Sequence, residues 1–314
     1  HSAIGLRPNE DGEGFATVDE LFANLIIIDE ASMIDVFVAS KLFEVIPDEC
    51  RVVIVGDPDQ LPSVGAGQFL RDVIQSQALP VTKLRTIFRQ SGTSPIILNS
   101  HRILEGNTKL DQSRGFYIKE ENTELGMLKS GCQLYISCVK KYGIDAVSLL
   151  TPYRNKTDVS VNSFNKQLQH FLNPPKNERE IKAHNSVFRK GDKVMQVKNT
   201  ERAKNGDIGY ILDIKLVRDP ESGTFKEKCV IEFNNDGEEF EYSVDDLKNV
   251  ELAYASTVHK SQGSEFKTVI IIMSESHELA LKRNLIYTAV TRAQENVAII
   301  GQRSALEKAI LNND

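Results

Sequence analysis

No run of apolar residues in the sequence is long enough to cross a membrane: the longest, such as 25–28 and 269–273, fall far short of the ~20 residues that a spanning helix requires. A helical membrane protein is excluded. Cysteine is scarce too. Cys50, Cys132, Cys138 and Cys229 lie apart, with no CxxC spacing and no paired histidine, so neither a zinc site nor a disulfide framework is indicated. Reduced thiols in a cytoplasmic protein are the expectation. The chain begins at His1 rather than Met and lacks the charged region, apolar core and cleavage site of a signal peptide, so a piece of something longer is expected. No fixed-period repeat is present. Neither sign of charge dominates, since 38 Lys and Arg against 44 Asp and Glu leave −6. With 26% charged residues and a mean hydropathy of −0.29, disordered, collagen-like and coiled-coil chains are excluded.

What is there suits a globular α/β protein. The 314 residues correspond to about two domains at a typical ~150 residues each. Short continuous apolar runs at 25–28, 52–55, 147–150, 269–273 and 297–300 each end in polar or glycine residues. Continuous rather than alternating apolar character predicts strands of a parallel sheet, buried on both faces. Helix-like stretches at 35–45, 68–77, 94–104 and 159–171 lie between them. Ligands of such sheets gather beyond the carboxyl ends of the strands. From 187 to 250 the character changes, and glycines separate short β-type segments at 193–197, 210–217 and 229–233. That predicts a small antiparallel barrel inserted in the second α/β domain. The polar stretches 9–14 and 173–180 are expected to be a loop or hairpin and a linker into the barrel.

Five segments carry candidate chemistry, the first two at strand ends. Asp29-Glu30-Ala31-Ser32 follows the run 25–28; one carboxylate there suits a hydrated Mg²⁺ and the other an attacking water, although acidic residues also favour plain helix starts. Residues 56–67, GDPDQLPSVGAG, form a loop whose prolines stiffen it enough to fix the pose of Gln60; Gly-Asp-Pro is also simply good turn chemistry. The segment Thr257-Val258-His259-Lys260-Ser261-Gln262-Gly263-Ser264-Glu265-Phe266 supplies hydroxyls, an amide, a cation and a glycine open to close backbone approach, which are donors that phosphates need. His259 has no metal partner and reads equally as a structural histidine. Arg89, in Thr86-Ile87-Phe88-Arg89-Gln90, and Arg292, in Tyr287-Thr288-Ala289-Val290-Thr291-Arg292-Ala293, are of the type that stabilises charge on a phosphoryl group.

In order and spacing, these segments resemble motifs II to VI of superfamily 1 helicases, in the branch of RecD and the TraA-type relaxase helicases. The resemblance implies two RecA-like parallel-sheet P-loop NTPase domains with an inserted Src-homology-3-like barrel. The boundaries expected are 1–92 for the first domain, 93–186 with 251–314 for the second, and 187–250 for the barrel. It implies ATP and Mg²⁺ as cofactors, with Asp29 on the metal, Glu30 activating water, Gln60 sensing the γ-phosphate and Arg89 and Arg292 as arginine fingers. Gly263 and Glu265 would face the nucleotide. Single-stranded DNA would meet Pro62, Ser63, Thr151, Pro152, Asn155, Asn205, Thr257, His259, Lys260 and Gln262. The implied partners are single strands, duplex junctions and subunits of a recombination or conjugation complex, with movement 5′ to 3′ and no membrane. Residues 7–21 would stand where relatives place a strand-separating pin.

One part of the family pattern is missing. No Gly-x-x-x-x-Gly-Lys-Ser/Thr occurs in the sequence, so the loop that cradles the β- and γ-phosphates is absent. A chain cut just downstream of that loop, inactive alone as an ATPase, is the expectation; a non-hydrolysing DNA-binding scaffold is the alternative. Seven basic residues between 182 and 204 (Lys182, Arg189, Lys190, Lys193, Lys198, Arg202, Lys204) against Asp192 and Glu201 suggest either a stripe that tracks phosphates or a solvated barrel face.

Overall fold

The structure is a computed structural model that describes residues 4–8, 15–18, 20–84, 94–184, 186–218, 223–234 and 237–313. The chain divides into two units, His1–Thr93 and Ser94–Asp314.

In the first unit, β1 (Arg7–Pro8) and β2 (Phe15–Ala16) pair antiparallel, a very short hairpin where the pin was expected. β3 (Leu25–Ile28) and β4 (Arg51–Ile54) pair in parallel, Ile28 opposite Ile54. Between them lie a 3-10 turn (Ala31–Met33) and α1 (Val36–Glu44), and α2 (Phe69–Ser76) follows the loop after β4. Asp35 starts α1 by accepting the Val38 amide at 2.7 Å, which satisfies one of the amides a helix leaves without a partner at its start. Ile26, Ile28, Val52 and Ile54 pack with Ala31 and Leu70 on one side of this pair. The other side is open, with Leu25 53%, Ile27 62% and Val53 45% exposed. The expectation that these two strands are buried on both faces is therefore corrected, because the described residues supply only one covering layer.

The second unit opens with α3 (Pro95–Leu104), β5 (Phe116–Glu120), α4 (Glu124–Tyr142), β6 (Val147–Thr151) and α5 (Val161–Leu172). Then come the short strands β7 (Glu180–Ala183), β8 (Ser186–Arg189), β9 (Lys193–Gln196), β10 (Ile208–Arg218), β11 (Phe225–Phe233), β12 (Glu239–Ser243) and β13 (Val250–Leu252). The chain returns through β14 (Ala255–Thr257), β15 (Phe266–Met273), α6 (Arg283–Thr291), β16 (Ala293–Gly301) and α7 (Arg303–Leu311). Five strands form a parallel sheet in the order β14-β6-β15-β16-β5. β6 is buried along its whole length, as expected for a strand covered on both faces. Leu149, Ile270, Ile272 and Ile300 from the sheet pack with Met127 and Tyr135 of α4 and Phe164 and Leu168 of α5.

The inserted barrel has the antiparallel order β12-β11-β10-β9-β13 and its own core. The boundary expected at 187 cuts through a hairpin. β7 pairs with β8, and Ile181 and Ala183 enter the barrel core, so the insertion begins at Glu180. Glu-Ile-Lys-Ala is too short and too charged to announce a strand in the sequence. Among the described residues no helix is long and apolar enough to cross a membrane.

Candidate functional site

In the first unit, Asp29 follows β3 directly and is exposed. Glu30 adopts φ 51° and ψ 41°, left-handed backbone that is costly for a residue with a Cβ. The surrounding bonds enforce it. The Ala31 amide donates to the Val55 carbonyl (2.9 Å), the Val55 amide to the Ile28 carbonyl (2.7 Å) and the Met33 amide to the Glu30 carbonyl (3.0 Å). The Glu30 amide donates to Asp29 Oδ1 at 2.8 Å. Gly56 lets the second loop lie against this turn: a Cβ there would stand 2.8 Å from Leu70 Cδ2 and 3.0 Å from the Ala31 nitrogen.

On that loop Gln60 Oε1 is buried, as is Ser32 Oγ beneath the turn, and neither finds a hydrogen-bond partner among the described residues. Buried acceptors of this kind are uncommon, and they suit a water or ligand donor. Ser63 Oγ donates to the Gly67 carbonyl at 3.2 Å, which fixes the loop on itself, and Pro62 is half-buried. A Mg²⁺ ion fits these residues. The ion takes one or two carboxylates and fills its remaining positions with water and phosphate, and Asp29 is an exposed carboxylate that accepts the Glu30 amide through Oδ1. No cluster of three metal-binding side chains encloses a cation among the described residues.

In the second unit, Thr257 ends β14 and its Oγ1 accepts the Lys260 amide at 3.3 Å, starting the 3-10 turn His259–Ser261. His259 is exposed and Gln262 half-buried. Gly263 has φ 75° in open space, a conformation that a side chain would strain. The next residues meet Arg292: its Nη1 donates to the Ser264 carbonyl (3.5 Å) and its Nε to the Thr288 carbonyl (3.3 Å). Glu265 accepts from Gln294 Nε2 at 3.3 Å. The fold thus brings Gly263, Glu265 and Arg292 together.

Several expectations need correction. Thr151 is fully buried, its hydroxyl donates to the Val159 carbonyl at 2.7 Å, and Pro152 is buried as well. Both side chains are enclosed by the fold, at the start of the loop that carries exposed Asn155. Arg292 is only 5% exposed, so its guanidinium is held inside the fold. The basic stretch is not one free stripe. Lys193 is buried and pairs with Asp145 at 2.8 Å, Arg189 with Glu180 at 2.5 Å and Arg202 with Asp246 at 2.8 Å. Lys182, Lys190, Lys198 and Lys204 are exposed. Asn205 lies in an exposed turn before β10, its amide donating to Asn199 Oδ1 at 2.8 Å. Arg89 lies outside the described residues.

Two polar groups escaped the sequence reading. Glu251, on the last barrel strand, contacts Lys260 at 3.2 Å and Arg154 at 2.5 Å. His277, fully buried, stands 3.4 Å from Thr151 Oγ1. Nothing in their spacing marks either residue, because each meets its partners only through the sheet.

Family models match the chain in succession: an AAA domain over 10–123, the SH3 domain of ATP-dependent RecD-like DNA helicases over 164–233, and a UvrD-like helicase C-terminal domain over 252–300. The ATP-dependent RecD2 DNA helicase of Deinococcus radiodurans is 34% identical over 289 residues, covering 91% of this chain and 37% of that protein. The RecBCD enzyme subunit RecD of Mycobacterium tuberculosis is 27% identical over 333 residues, covering 99% of this chain and 55% of its own length. The chain therefore spans well under two thirds of either relative. The crystal structure of Pif1 helicase from Candida albicans shares the fold, with a TM-score of 0.56 at 18% identity over 90% of this chain and 73% of that one. In its collinear motifs, its parallel sheets and a barrel of the RecD type, this chain is similar to the RecD-like helicases.

Proposed function

We propose that this chain is the greater part of an ATP-dependent DNA helicase motor, one that couples ATP hydrolysis to 5′ to 3′ movement along single-stranded DNA in the cytoplasm. The observation that carries the proposal is the strained Glu30 beside exposed Asp29 at the carboxyl end of β3, with the loop after β4 packed against the turn that follows them. Strain of about 1–3 kcal/mol persists where the surroundings over-determine it, and such residues concentrate at functional sites.

Mg²⁺, when bound, would neutralise charge on the nucleotide phosphates. Asp29 is the residue that holds it. Glu30 accepts the proton of the attacking water, Gln60 orients that water through its unpartnered oxygen, and Arg292 supplies positive charge once its carbonyl partners release it. Asn155, Asn205, Thr257, His259, Lys260 and Gln262, with Pro62 and Ser63 from the first unit, are proposed to meet the strand. Duplex junctions and subunits of a recombination or conjugation complex are its proposed partners.

The test is single-strand-stimulated ATP hydrolysis by the chain joined to a P-loop-bearing segment, with and without Glu30→Gln. The expected result is hydrolysis in the joined protein and a loss of about 10²–10⁴-fold in the variant, the usual contribution of a general base, with nucleotide binding kept. Hydrolysis that Glu30→Gln leaves unchanged overturns the role of Glu30. DNA binding with no hydrolysis in any form favours the scaffold instead.

A further inference from the structure

The barrel ends on β13, and within a few residues the chain reaches the turn that carries Lys260. Glu251 stands at this junction, opposite Met195 across the last barrel ladder. Its Oε2 accepts a hydrogen bond from Lys260 Nζ at 3.2 Å, and its Oε1 lies 2.5 Å from Arg154 Nη2. The carboxylate is recessed while the cations it engages reach solvent: its side chain is 17% exposed, against 58% for Arg154 and 32% for Lys260. Arg154 belongs to the loop between β6 and α5, next to Asn155. One acidic group therefore ties together the barrel, that loop and the Lys260 turn.

The pairing with Arg154 is a charge contact rather than a well-aligned hydrogen bond, because the buried Glu251 Oε1 has no hydrogen-bond partner. Holding a largely exposed arginine in so imperfect a pair contributes little stability. Arg154, Asn155 and Glu251 also line a cleft of about 710 Å³ between α5 and the barrel, to which Lys166, His184 and Lys248 contribute. A carboxylate placed there meets whatever anion enters.

We propose that Glu251 is an internal competitor for the phosphate backbone: it engages Arg154 and Lys260 and offsets one of their two charges while no strand is bound, yields them to phosphates on binding, and reclaims them on release. This rests on the reading that a nucleic-acid strand passes over the Lys260 turn. Glu251 is a positioning residue in this scheme, acting on the strand through two cations. The condensed ions released on binding belong to the nucleic acid, and one carboxylate beside two cations offsets one of their two charges, so together they contribute the salt dependence of about one free cation.

The test measures binding of a fluorescein-labelled oligothymidylate to the 314-residue chain across a series of NaCl concentrations, for wild type, Glu251→Gln and Glu251→Asp. Glu251→Gln is expected to bind about threefold tighter at low salt, in keeping with the modest worth of exposed ion pairs. Its log–log salt slope is expected to steepen by about 0.7, the share of one phosphate contact on a single strand, because one carboxylate offsets one positive charge. Glu251→Asp keeps the charge and is expected to keep the wild-type slope. Equal or weaker binding by Glu251→Gln with an unchanged slope overturns the proposal and leaves the function reading standing. Absence of binding by the wild type overturns both. Should Glu251→Gln fail to fold, Glu251→Ser decides in the same titration: a slope steeper by about 0.7 is expected, and an unchanged slope overturns the proposal.

Discussion

The imidazole of His277 is enclosed completely and lies edge-on to Tyr153, with ring centroids 5.9 Å apart. Its Nδ1 accepts the Ser274 amide at 3.1 Å, which puts the ring proton on Nε2, facing Thr151 Oγ1 at 3.4 Å. Burial pushes its pKa down to about 4. The unfolded chain, with an ordinary histidine pKa of about 6.5, takes up this proton first as the pH falls, so stability is present above that value and is lost between about 6.5 and 4. The loss comes to about 3 kcal/mol by linkage. Urea unfolding at neutral pH and near the lower limit is expected to show it, and His277→Gln is expected to remove that share of the acid sensitivity. Equal sensitivity in the variant excludes His277 as its source. At this scale the sequence was legible where chemistry repeats a local pattern: Asp29, Glu30 and Gln60 stand out because each follows an apolar run. His277 was not, since its burial depends on Thr151 and Tyr153, more than a hundred residues earlier.

Elements meet through Asp192, which is fully buried between β8 and β9. Its Oδ2 accepts from Gln169 Nε2 (2.6 Å) and the Arg189 amide (2.7 Å), and its Oδ1 from Asn173 Nδ2 (2.8 Å) and Tyr254 Oη (2.8 Å). Two of these donors lie on or just after α5, one is in the barrel and one is on the segment returning to the sheet. Burial raises the pKa of this carboxyl while the four donors oppose the rise. Asp192→Ala strands all four donors and is expected to cost about 3–5 kcal/mol, the range for breaking a buried charged network. A urea midpoint shift measures it; a loss below about 1 kcal/mol, the worth of an ordinary hydrogen bond, rejects the junction role. The sequence reading counted Asp192 only as a negative charge diluting a basic stripe. Charge counting assumes exposure, and burial is decided by α5 packing on the barrel. Helices 36–44, 69–76, 95–104 and 161–172 were legible because apolar spacing is local. α4 was less so, since Ser130 and Gly131 share its buried face with Met127, Cys132 and Tyr135.

Across the molecule, protection from solvent is uneven. β6 and most of β15 are buried, whereas β3 and β4 leave alternate residues exposed. Amide exchange is therefore expected to be slowest in β6 and β15, near the global unfolding limit, and to proceed through lower-energy openings in β3 and β4. Equal protection in both pairs contradicts this. The sequence by itself determined the class of fold and the likeness to RecD-like helicases, because apolar runs, turn residues and motif spacing act over a few residues and survive in one dimension. Only the tertiary structure decided that Thr151 is enclosed, that Arg292 rests on carbonyls, that part of the basic stripe is held in ion pairs, and that Glu251 holds two cations. Each of those depends on which distant group excludes water from a side chain, and that is settled by packing across the sheet and the barrel.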